Sequence, residues 1–415
     1  MPAACQWASD VPPSLDCSVG RSLINFDGDV HPAFLDVAEQ FRRLFRRPGS
    51  GGGALAVFQD GVPVVDIWAG TKDLDGEQPW QRDTMALSFS TTKGVASTVI
   101  HRLVDRGLLD LEAPVTEYWP EFGANGKQHV TVTDLLTHRA GLHDVRHLVG
   151  GRADVLSHLV MEQLLAAAKP TIEPGTQSAY HGFTFGWLVS GLARAVTGQD
   201  MRDLFRTELA EPLGLDGLSL GVADGDEVTN ARVAQLHDRG LSLASLLGSP
   251  MSNLPFVGRV AEALYVEGFD ELLAEPERPA VHAQMPAANG VFTARSLARL
   301  YAVLAAGGSL DGVRLLDPAS VERLATRHVR DRDAVLGIKM HWRLGYHAAF
   351  TTGRGSKTAF GHYGYGGSGA WCDPRSGLAV AFVTNRLGSG TTPIADSRLL
   401  RLNARITEAV DRVAA

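Results

Sequence analysis

Apolar residues recur at strand or helix spacing along most of the chain, and their period changes from one segment to the next. An apolar residue every three to four positions between His31 and Arg46 predicts an amphipathic helix. The glycine triplet at 51–53 predicts a flexible joint, and the alternation from Ala54 to Ala69 around Asp60-Gly61 predicts a β-hairpin with a tight turn. The first part of the chain is therefore expected to supply paired strands.

Helical spacing dominates the middle of the chain, and strand spacing returns near its end. The pattern predicts a short strand at Met85–Phe89, a helix over Thr91–Arg106 that Gly107 closes, and mostly helices from 108 to 310. A continuous apolar run predicts a strand at Leu378–Thr384, and a helix is predicted at Leu399–Val413. Residues 222–285 are the least regular part and are a candidate lid or insertion.

Strands at both ends with helices between them predict an α+β fold. The sheet would be assembled from about residues 54–89 and 340–385, and a mainly helical lobe at about 108–310 would pack against it. Residues 1–30 are expected to form an irregular amino-terminal arm, followed by one domain at 31–415. Chemistry is expected between the sheet and the helical lobe.

Composition narrows the possible functions. The 415 residues carry 39 Lys and Arg against 46 Asp and Glu, a net charge of −7, which argues against nucleic-acid binding. Hydrophobic residues at 45% and charged residues at 20% indicate an ordinary globular protein. No apolar run reaches about 18 residues, and the amino terminus lacks a basic start followed by an apolar stretch. A soluble, cytoplasmic protein without a membrane span is expected.

Three other sequence signals lack the neighbouring residues or elements that their usual functions require. Cys5, Cys17 and Cys372 form no C-x-x-C pair or Cys/His cluster, so neither a disulfide framework nor a metal site is expected. The G-x-S-x-G match at 217–221 is followed by a loop instead of the helix that a nucleophile elbow requires. The G-x-G-x-x-G match at 364–369 has no helix after it to receive a pyrophosphate.

The sharpest local signal is the only S-x-x-K in the chain, Ser90 to Lys93. It follows a predicted strand and opens a predicted helix. At this spacing the two side chains share one helix face, so the lysine amine can reach the serine hydroxyl. A serine needs a base to become a nucleophile, and a lysine serves as that base only if its pKa is lowered by burial or by a cationic neighbour.

This motif and the segments after it resemble the serine β-lactamase-like superfamily, in the branch of class C β-lactamases, D-alanyl-D-alanine carboxypeptidases and family VIII carboxylesterases. Besides Ser90 to Lys93, the segments that carry the resemblance are Leu109–Leu111, Tyr118–Phe122, Val132–Leu142, Pro174-Gly175 before Tyr180, Glu211–Leu215 and Gly361–Ser368. Together they span about residues 30 to 400. The resemblance implies a β-lactamase/penicillin-binding-protein-like fold with an antiparallel sheet, and a serine hydrolase that needs no cofactor.

The resemblance also implies roles for individual residues. Ser90 would be the acylated nucleophile and Lys93 its base. Tyr180 stands at the tyrosine of the family's Y-x-N motif, where a phenol or phenolate moves the proton between serine and leaving group. A nearby lysine charge would lower the pKa of that tyrosine.

The third motif of the family reads His362-Tyr363-Gly364 here. His362 would donate a hydrogen bond near the Tyr180 hydroxyl and the substrate, and Gly364 would border the substrate. The backbone N–H groups of Ser90 and Tyr365 would form the oxyanion hole. Trp371, together with Phe360 and Tyr365, is expected to line an apolar acyl pocket, with packing in the core as the alternative.

Two departures from the family pattern favour carboxylic esters as substrates. Gly182 replaces the asparagine of Y-x-N, which helps to hold the amide side chain of β-lactams and peptides, and His362 replaces a lysine of K-T-G. We therefore expect a small-molecule ester as the substrate. An acyltransferase, a β-lactamase or D-amino-acid peptidase, and a catalytically silent scaffold remain the alternatives, and the sequence leaves the oligomeric state open.

Overall fold

A seven-stranded antiparallel sheet, built from both ends of the chain, is the largest sheet of the computed structural model. The structure describes residues 26–47, 49–237, 250, 254–275, 277–350, 356–388 and 396–414. In spatial order the strands are β1 (Asp27–Val30), β3 (Val62–Gly70), β2 (Gly52–Gln59), β12 (Leu378–Thr384), β11 (Gly369–Asp373), β10 (Phe360–Tyr363) and β9 (His347–Ala348). The predicted α+β fold, with its sheet from both chain ends, is confirmed.

Two small sheets accompany the large one. One consists of β4 (Ala86–Leu87), β6 (Gly290–Phe292) and β5 (Leu218–Leu220), and the other of β7 (Ser309–Leu310) and β8 (Val313–Arg314). The strand predicted at Met85–Phe89 therefore exists as β4, but its assignment to the large sheet was wrong. It pairs with β6, and residues 88–90 connect its end to the helix that Thr91 begins.

Helices make up much of the rest of the described chain. They are α1 (Leu35–Arg42), α2 (Thr91–Asp105), α3 (Val132–Leu136), α4 (His158–Ala167), α5 (Thr184–Thr197), α6 (Met201–Leu204), α7 (Glu211–Leu213), α8 (Glu227–Arg232), α9 (Pro255–Leu264), α10 (Phe269–Ala274), α11 (Pro279–His282), α12 (Ala294–Ala305), α13 (Pro318–Ala325) and α14 (Ser397–Ala414). Between α6 and α7 the chain continues as a π-helix over Phe205–Ala210. The mainly helical middle of the chain is thus confirmed.

Both faces of the large sheet are buried, which explains the continuous apolar runs in its central strands. Successive side chains of a strand point to opposite faces. Ala54 and Ala56 of β2 belong to the core shared with α12, whereas Leu55 and Val57 belong to the core shared with α1 and α14. The sheet therefore separates two hydrophobic cores.

Two expectations about the first part of the chain were wrong. The predicted joint at 51–53 is largely strand, because Gly52 and Gly53 begin β2. A Cβ at Gly52 would lie 2.6 Å from the ring of Trp80, so close packing requires glycine there. The predicted irregular arm at 1–30 includes strand β1, which pairs with β3 at the sheet edge. Residues 1–25 of that arm lie outside the described residues.

The segment at 222–285 is more regular than its sequence pattern indicated. Its described part carries α8, α9, α10 and α11, while residues 238–249, 251–253 and 276 of this predicted lid lie outside the described residues. Helix α9 packs beside Ala179 and Tyr180 in a small apolar cluster that is separate from the two large cores. The segment thus contributes to the surroundings of a predicted site residue.

Candidate active site

Ser90 lies at the amino terminus of α2, in a turn held by the three-stranded sheet. The backbone N–H of Ser88 donates to the Gly290 carbonyl, and the Thr92 hydroxyl donates to the Phe89 carbonyl at 2.5 Å. Phe89 has a φ of +43°, which is a strained conformation for a residue other than glycine. Such strain next to a half-buried serine marks a turn that presents one side chain in a fixed direction.

Lys93 is fully buried one turn further along α2. Its Nζ lies 2.8 Å from Ser90 Oγ and 3.0 Å from the carbonyl oxygen of Ala287. Burial lowers the pKa of the Lys93 amine well below its ordinary value. A neutral amine can donate to the Ala287 carbonyl and still accept the Ser90 hydroxyl proton with its lone pair.

Tyr180 also contacts Ser90. Its hydroxyl donates to Ser90 Oγ at 2.9 Å, so the serine oxygen contacts both the amine and the phenol. Burial raises the pKa of Tyr180 above its ordinary value, the hydrogen bond with Ser90 opposes that shift, and the Asp333 charge adds to it. The expected lowering of the Tyr180 pKa by a lysine charge was wrong because burial dominates the shift, so the resting side chain is a phenol.

Two residues that the sequence analysis did not identify hold Tyr180 in place. One oxygen of buried Asp333 accepts the Tyr180 backbone N–H at 3.1 Å, and the other accepts the indole N–H of Trp342 at 3.0 Å. The Trp342 ring stacks on the Tyr180 ring, with centroids 5.5 Å apart and planes inclined by 12°. Neither residue belongs to a recognisable motif, so no signal in the single sequence identifies them.

The two segments predicted to form the oxyanion hole lie against each other. A Cβ at Gly364 would be 2.2 Å from the Ser88 carbonyl oxygen, so only glycine permits this approach. The Thr91 hydroxyl donates across the gap to the Ser368 carbonyl, and the Phe89 and Tyr365 rings meet edge to face at 5.6 Å. The structure thus brings the end of β10 beside the turn that carries Ser90.

His362 lies on β10 with its ring 6.5 Å from the Tyr180 ring, centroid to centroid. Its Nδ1 faces the Tyr363 carbonyl at 3.1 Å, so Nδ1 carries the hydrogen, and buried Nε2 has no partner among the described residues. Burial lowers the pKa of His362 well below its usual range, and the neighbouring His347 adds to this shift. The neutral ring therefore offers an acceptor at Nε2, and the expectation of a donor was wrong.

Trp371 and Phe360 do not line a pocket beside Ser90. Trp371 pairs with Gly361 in the sheet, so its side chain points to the face opposite that of His362. There it packs against α14 and donates its indole N–H to Asn403 at 2.9 Å. Phe360 packs on Tyr346 in the other core. The substrate-binding prediction for Trp371 and the pocket-lining prediction for Phe360 were therefore wrong, because strand alternation and register place both side chains in the cores.

Gly182 lies where the family's motif has asparagine, and helix α9 occupies the space beside it. A Cβ at Gly182 would be 2.3 Å from Leu264 Cδ2 and 2.4 Å from the Ala263 carbonyl oxygen. Both neighbours end α9. The missing side chain is thus replaced by a packed helix end.

Similar proteins share both the sequence pattern and the fold. The profile of the Beta-lactamase family matches residues 37–405. The Esterase/beta-lactamase LipL of Mycobacterium tuberculosis is 48% identical over 367 residues, which are 87% of this chain and 83% of LipL.

Solved structures give the same result. A penicillin-binding protein homologue from Caulobacter crescentus is 32% identical, with a TM-score of 0.79 over 92% of this chain and 99% of its own. The crystal structure of a family VIII carboxylesterase is 32% identical, with a TM-score of 0.78 over 94% of this chain and 100% of its own. Agreement along nearly the whole length shows that the chain belongs to the beta-lactamase family.

Proposed function

We propose that this protein hydrolyses carboxylic esters through a covalent acyl-enzyme on Ser90. The observation that carries the proposal is the placement of Ser90 Oγ, which lies 2.8 Å from Lys93 Nζ and 2.9 Å from the Tyr180 hydroxyl. A serine between a neutral amine and a phenol has both a base to accept its proton and an acid to protonate a leaving group.

Acylation follows from the resting protonation states. The Lys93 amine takes the Ser90 proton as Oγ attacks the ester carbonyl, and the Ser90 and Tyr365 N–H groups stabilise the oxyanion. Tyr180 protonates the leaving alcohol oxygen as the carbon–oxygen bond breaks, and the Lys93 ammonium returns a proton to the phenolate. Water then attacks the acyl-enzyme, and the same groups act in reverse order to release the acid and restore Ser90.

The surroundings of Gly182 support esters over β-lactams and peptides. The packed end of α9 leaves no room for the asparagine side chain that would hold an amide group. The neutral ring of His362 also supplies no fixed positive charge for a substrate carboxylate. The similar structure named a carboxylesterase supports the same substrate class, whereas the relative LipL is named both an esterase and a beta-lactamase.

A small-molecule ester is the expected partner, with Gly364, Tyr365 and His362 nearest to it. The hydrolase domain at 31–415 and the lid at 222–285 stay predictions, as does a cytoplasmic location. Within the described residues, every helix is too short or too polar to cross a bilayer.

Steady-state hydrolysis of p-nitrophenyl esters by two serine variants tests the proposal. Ser90→Ala should remove nearly all turnover, whereas Ser219→Ala should retain it. Ser219 belongs to the G-x-S-x-G match, but it lies in strand β5 and its hydroxyl donates to the Gly221 carbonyl. Full turnover by Ser90→Ala, or its loss in Ser219→Ala, would overturn the proposed nucleophile. Adding an alcohol acceptor to the wild-type assay distinguishes hydrolysis from acyl transfer by the products formed.

A further inference from the structure

Three apolar side chains stand exposed at the start of α9 and on the loop against which this helix packs. Leu254 and Phe256 are 53% and 58% exposed, and Ile338 is 40% exposed. The Phe256 ring lies beside Gly337, where a Cβ would be 3.2 Å from its Cε2 atom. The helix start and the loop therefore share one apolar surface, which we call the α9 patch and define as Leu254, Phe256 and Ile338.

Four exposed cations lie on helix α9 or on the loop that carries Ile338. These cations are Arg259, Arg330, Arg332 and Lys339. Arg332 donates to the Gly337 carbonyl at 3.1 Å, and Arg259 donates to the Ala334 carbonyl at 3.4 Å, so both guanidinium groups lie at the same loop as the patch.

Those four cations have no carboxylate within 4.0 Å in the part of the chain that the structure describes. The exposed anion of this loop, Asp331, faces Arg139 at 3.8 Å, and Asp333 is buried. The border of the patch is therefore positive on a protein whose net charge is −7.

We infer that the α9 patch and its cations bind an anionic lipid surface. Apolar side chains that enter the headgroup region, together with arginines and lysines that meet lipid phosphates, are the usual means of interfacial binding. A stable protein interface buries about 1,200 Å² or more, whereas three partly exposed side chains of this size offer only about 300 Å². A lipid surface needs no more than a few such side chains when electrostatic attraction adds to them.

The position of the patch links lipid binding to the candidate active site. Helix α9 starts at the patch and ends at Leu264, which packs against Gly182, two residues after Tyr180. Docking through the start of α9 would hold this side of the site close to a surface in which apolar esters accumulate. The inference concerns binding alone, so it stands or falls independently of the proposed ester hydrolysis.

Cosedimentation with vesicles tests the inference. Vesicles of phosphatidylcholine mixed with phosphatidylglycerol should pull down the wild-type protein, and pure phosphatidylcholine vesicles should bind it far more weakly. The triple variant Arg330→Gln/Arg332→Gln/Lys339→Gln should bind about a hundredfold more weakly, since each cation near an anionic surface contributes roughly a fivefold factor. The matched control is Arg47→Gln/Lys169→Gln/Arg401→Gln, which removes three exposed cations elsewhere.

The apolar part of the patch has its own matched pair. Leu254→Ser/Phe256→Ser should weaken vesicle binding, whereas Leu35→Ser/Leu74→Ser, at residues that are 54% and 55% exposed, should not. Added salt should release the wild-type protein without any mutation, because screening weakens the attraction of the cations.

Three results would overturn the inference. They are an absence of wild-type binding to the anionic vesicles, equal binding by a patch variant and its control, and a dimer that Leu254→Ser/Phe256→Ser dissociates, which would assign the patch to a second copy of this chain.

Discussion

The carboxylate of Asp333 accepts the backbone N–H of Tyr180 at 3.1 Å, although 153 positions separate the two residues in the chain. The same oxygen also accepts the backbone N–H groups of Val335 and Leu336, each at 3.0 Å. The loop that carries Asp333 is thus fastened to the segment that presents the Tyr180 phenol to Ser90. A rigid support of this kind fixes the direction of a group that must donate a proton.

Asp333→Asn is expected to lower kcat for p-nitrophenyl esters more than it changes KM. An asparagine oxygen can keep the bonds to the backbone, but its amide nitrogen would then face the Trp342 indole N–H, and the ring that stacks on Tyr180 loses its anchor. Losing a buried hydrogen bond to a charged group costs about 1.5–3 kcal/mol. Thermal unfolding should show a lower Tm.

Trp342→Phe is the companion variant, because it keeps a stacking ring while it removes the indole donor and part of the ring volume. It should show a smaller loss of kcat than Asp333→Asn. Wild-type kcat and Tm in both variants would contradict a positioning role for this pair.

Lys93→Met should lose ester turnover about 10²–10⁴-fold, as expected for a general base, while the fold becomes more stable at neutral pH. Burial lowers the pKa of Lys93 well below its ordinary value, whereas an unfolded lysine keeps a pKa near 10.4. Between those two pKa values only the unfolded state binds the proton, so wild-type stability increases as the pH rises toward about 10.

Thermal unfolding at several pH values measures this effect. Lys93→Met should be more stable than wild type near neutral pH, and the difference should shrink toward about pH 10. Lys169→Met, at an exposed lysine, should follow the wild-type curve. Parallel curves for wild type and Lys93→Met would show that the buried amine is charged in the folded protein.

Restoring the family's asparagine with Gly182→Asn should destabilise the protein without creating a β-lactamase. The new side chain would collide with Leu264 and with the Ala263 carbonyl, and overpacking of this kind costs about 1–3 kcal/mol. Adding Leu264→Ala should restore only part of the stability, because the carbonyl belongs to the backbone.

Gly198→Asn is the matched control, since Gly198 ends α5 with a φ of +72° in open space, where asparagine is tolerated. If Gly182→Asn hydrolysed nitrocefin about as fast as esters and kept the wild-type Tm, α9 would not block a side chain at position 182.

Trp371→Phe should lower the Tm and leave the KM for esters unchanged. The variant leaves the buried Asn403 amide oxygen without the indole N–H that it accepts, at a cost of about 1–3 kcal/mol. A raised KM with an unchanged Tm would instead support the prediction from the sequence that Trp371 lines the substrate pocket.

The sequence predicted the elements whose signals are local. Alternation around Asp60-Gly61 predicted the hairpin of β2 and β3, and the S-x-x-K spacing placed Lys93 Nζ beside Ser90 Oγ. The family resemblance supplied Tyr180, which the structure brings to the same oxygen atom.

Features that depend on strand register or on contacts between distant segments could not be predicted from the sequence. The face on which Trp371 lies follows from its pairing with Gly361, because a shift of one residue would move it to the other side. The contact between Asp333 and Tyr180 and the packing of Leu264 on Gly182 join segments far apart in the chain, and neither leaves a local pattern.

The most direct measurement is intact-mass spectrometry after brief incubation with p-nitrophenyl esters of increasing acyl length, followed by peptide mapping. We predict that wild type and Ser219→Ala gain the mass of one acyl group on the peptide that contains Ser90. Ser90→Ala should gain nothing, and the acyl group should leave the wild-type protein on further incubation as water attacks. An adduct of the same size on Ser90→Ala, or turnover of esters by wild type without any acyl group on Ser90, would contradict the proposed acyl-enzyme.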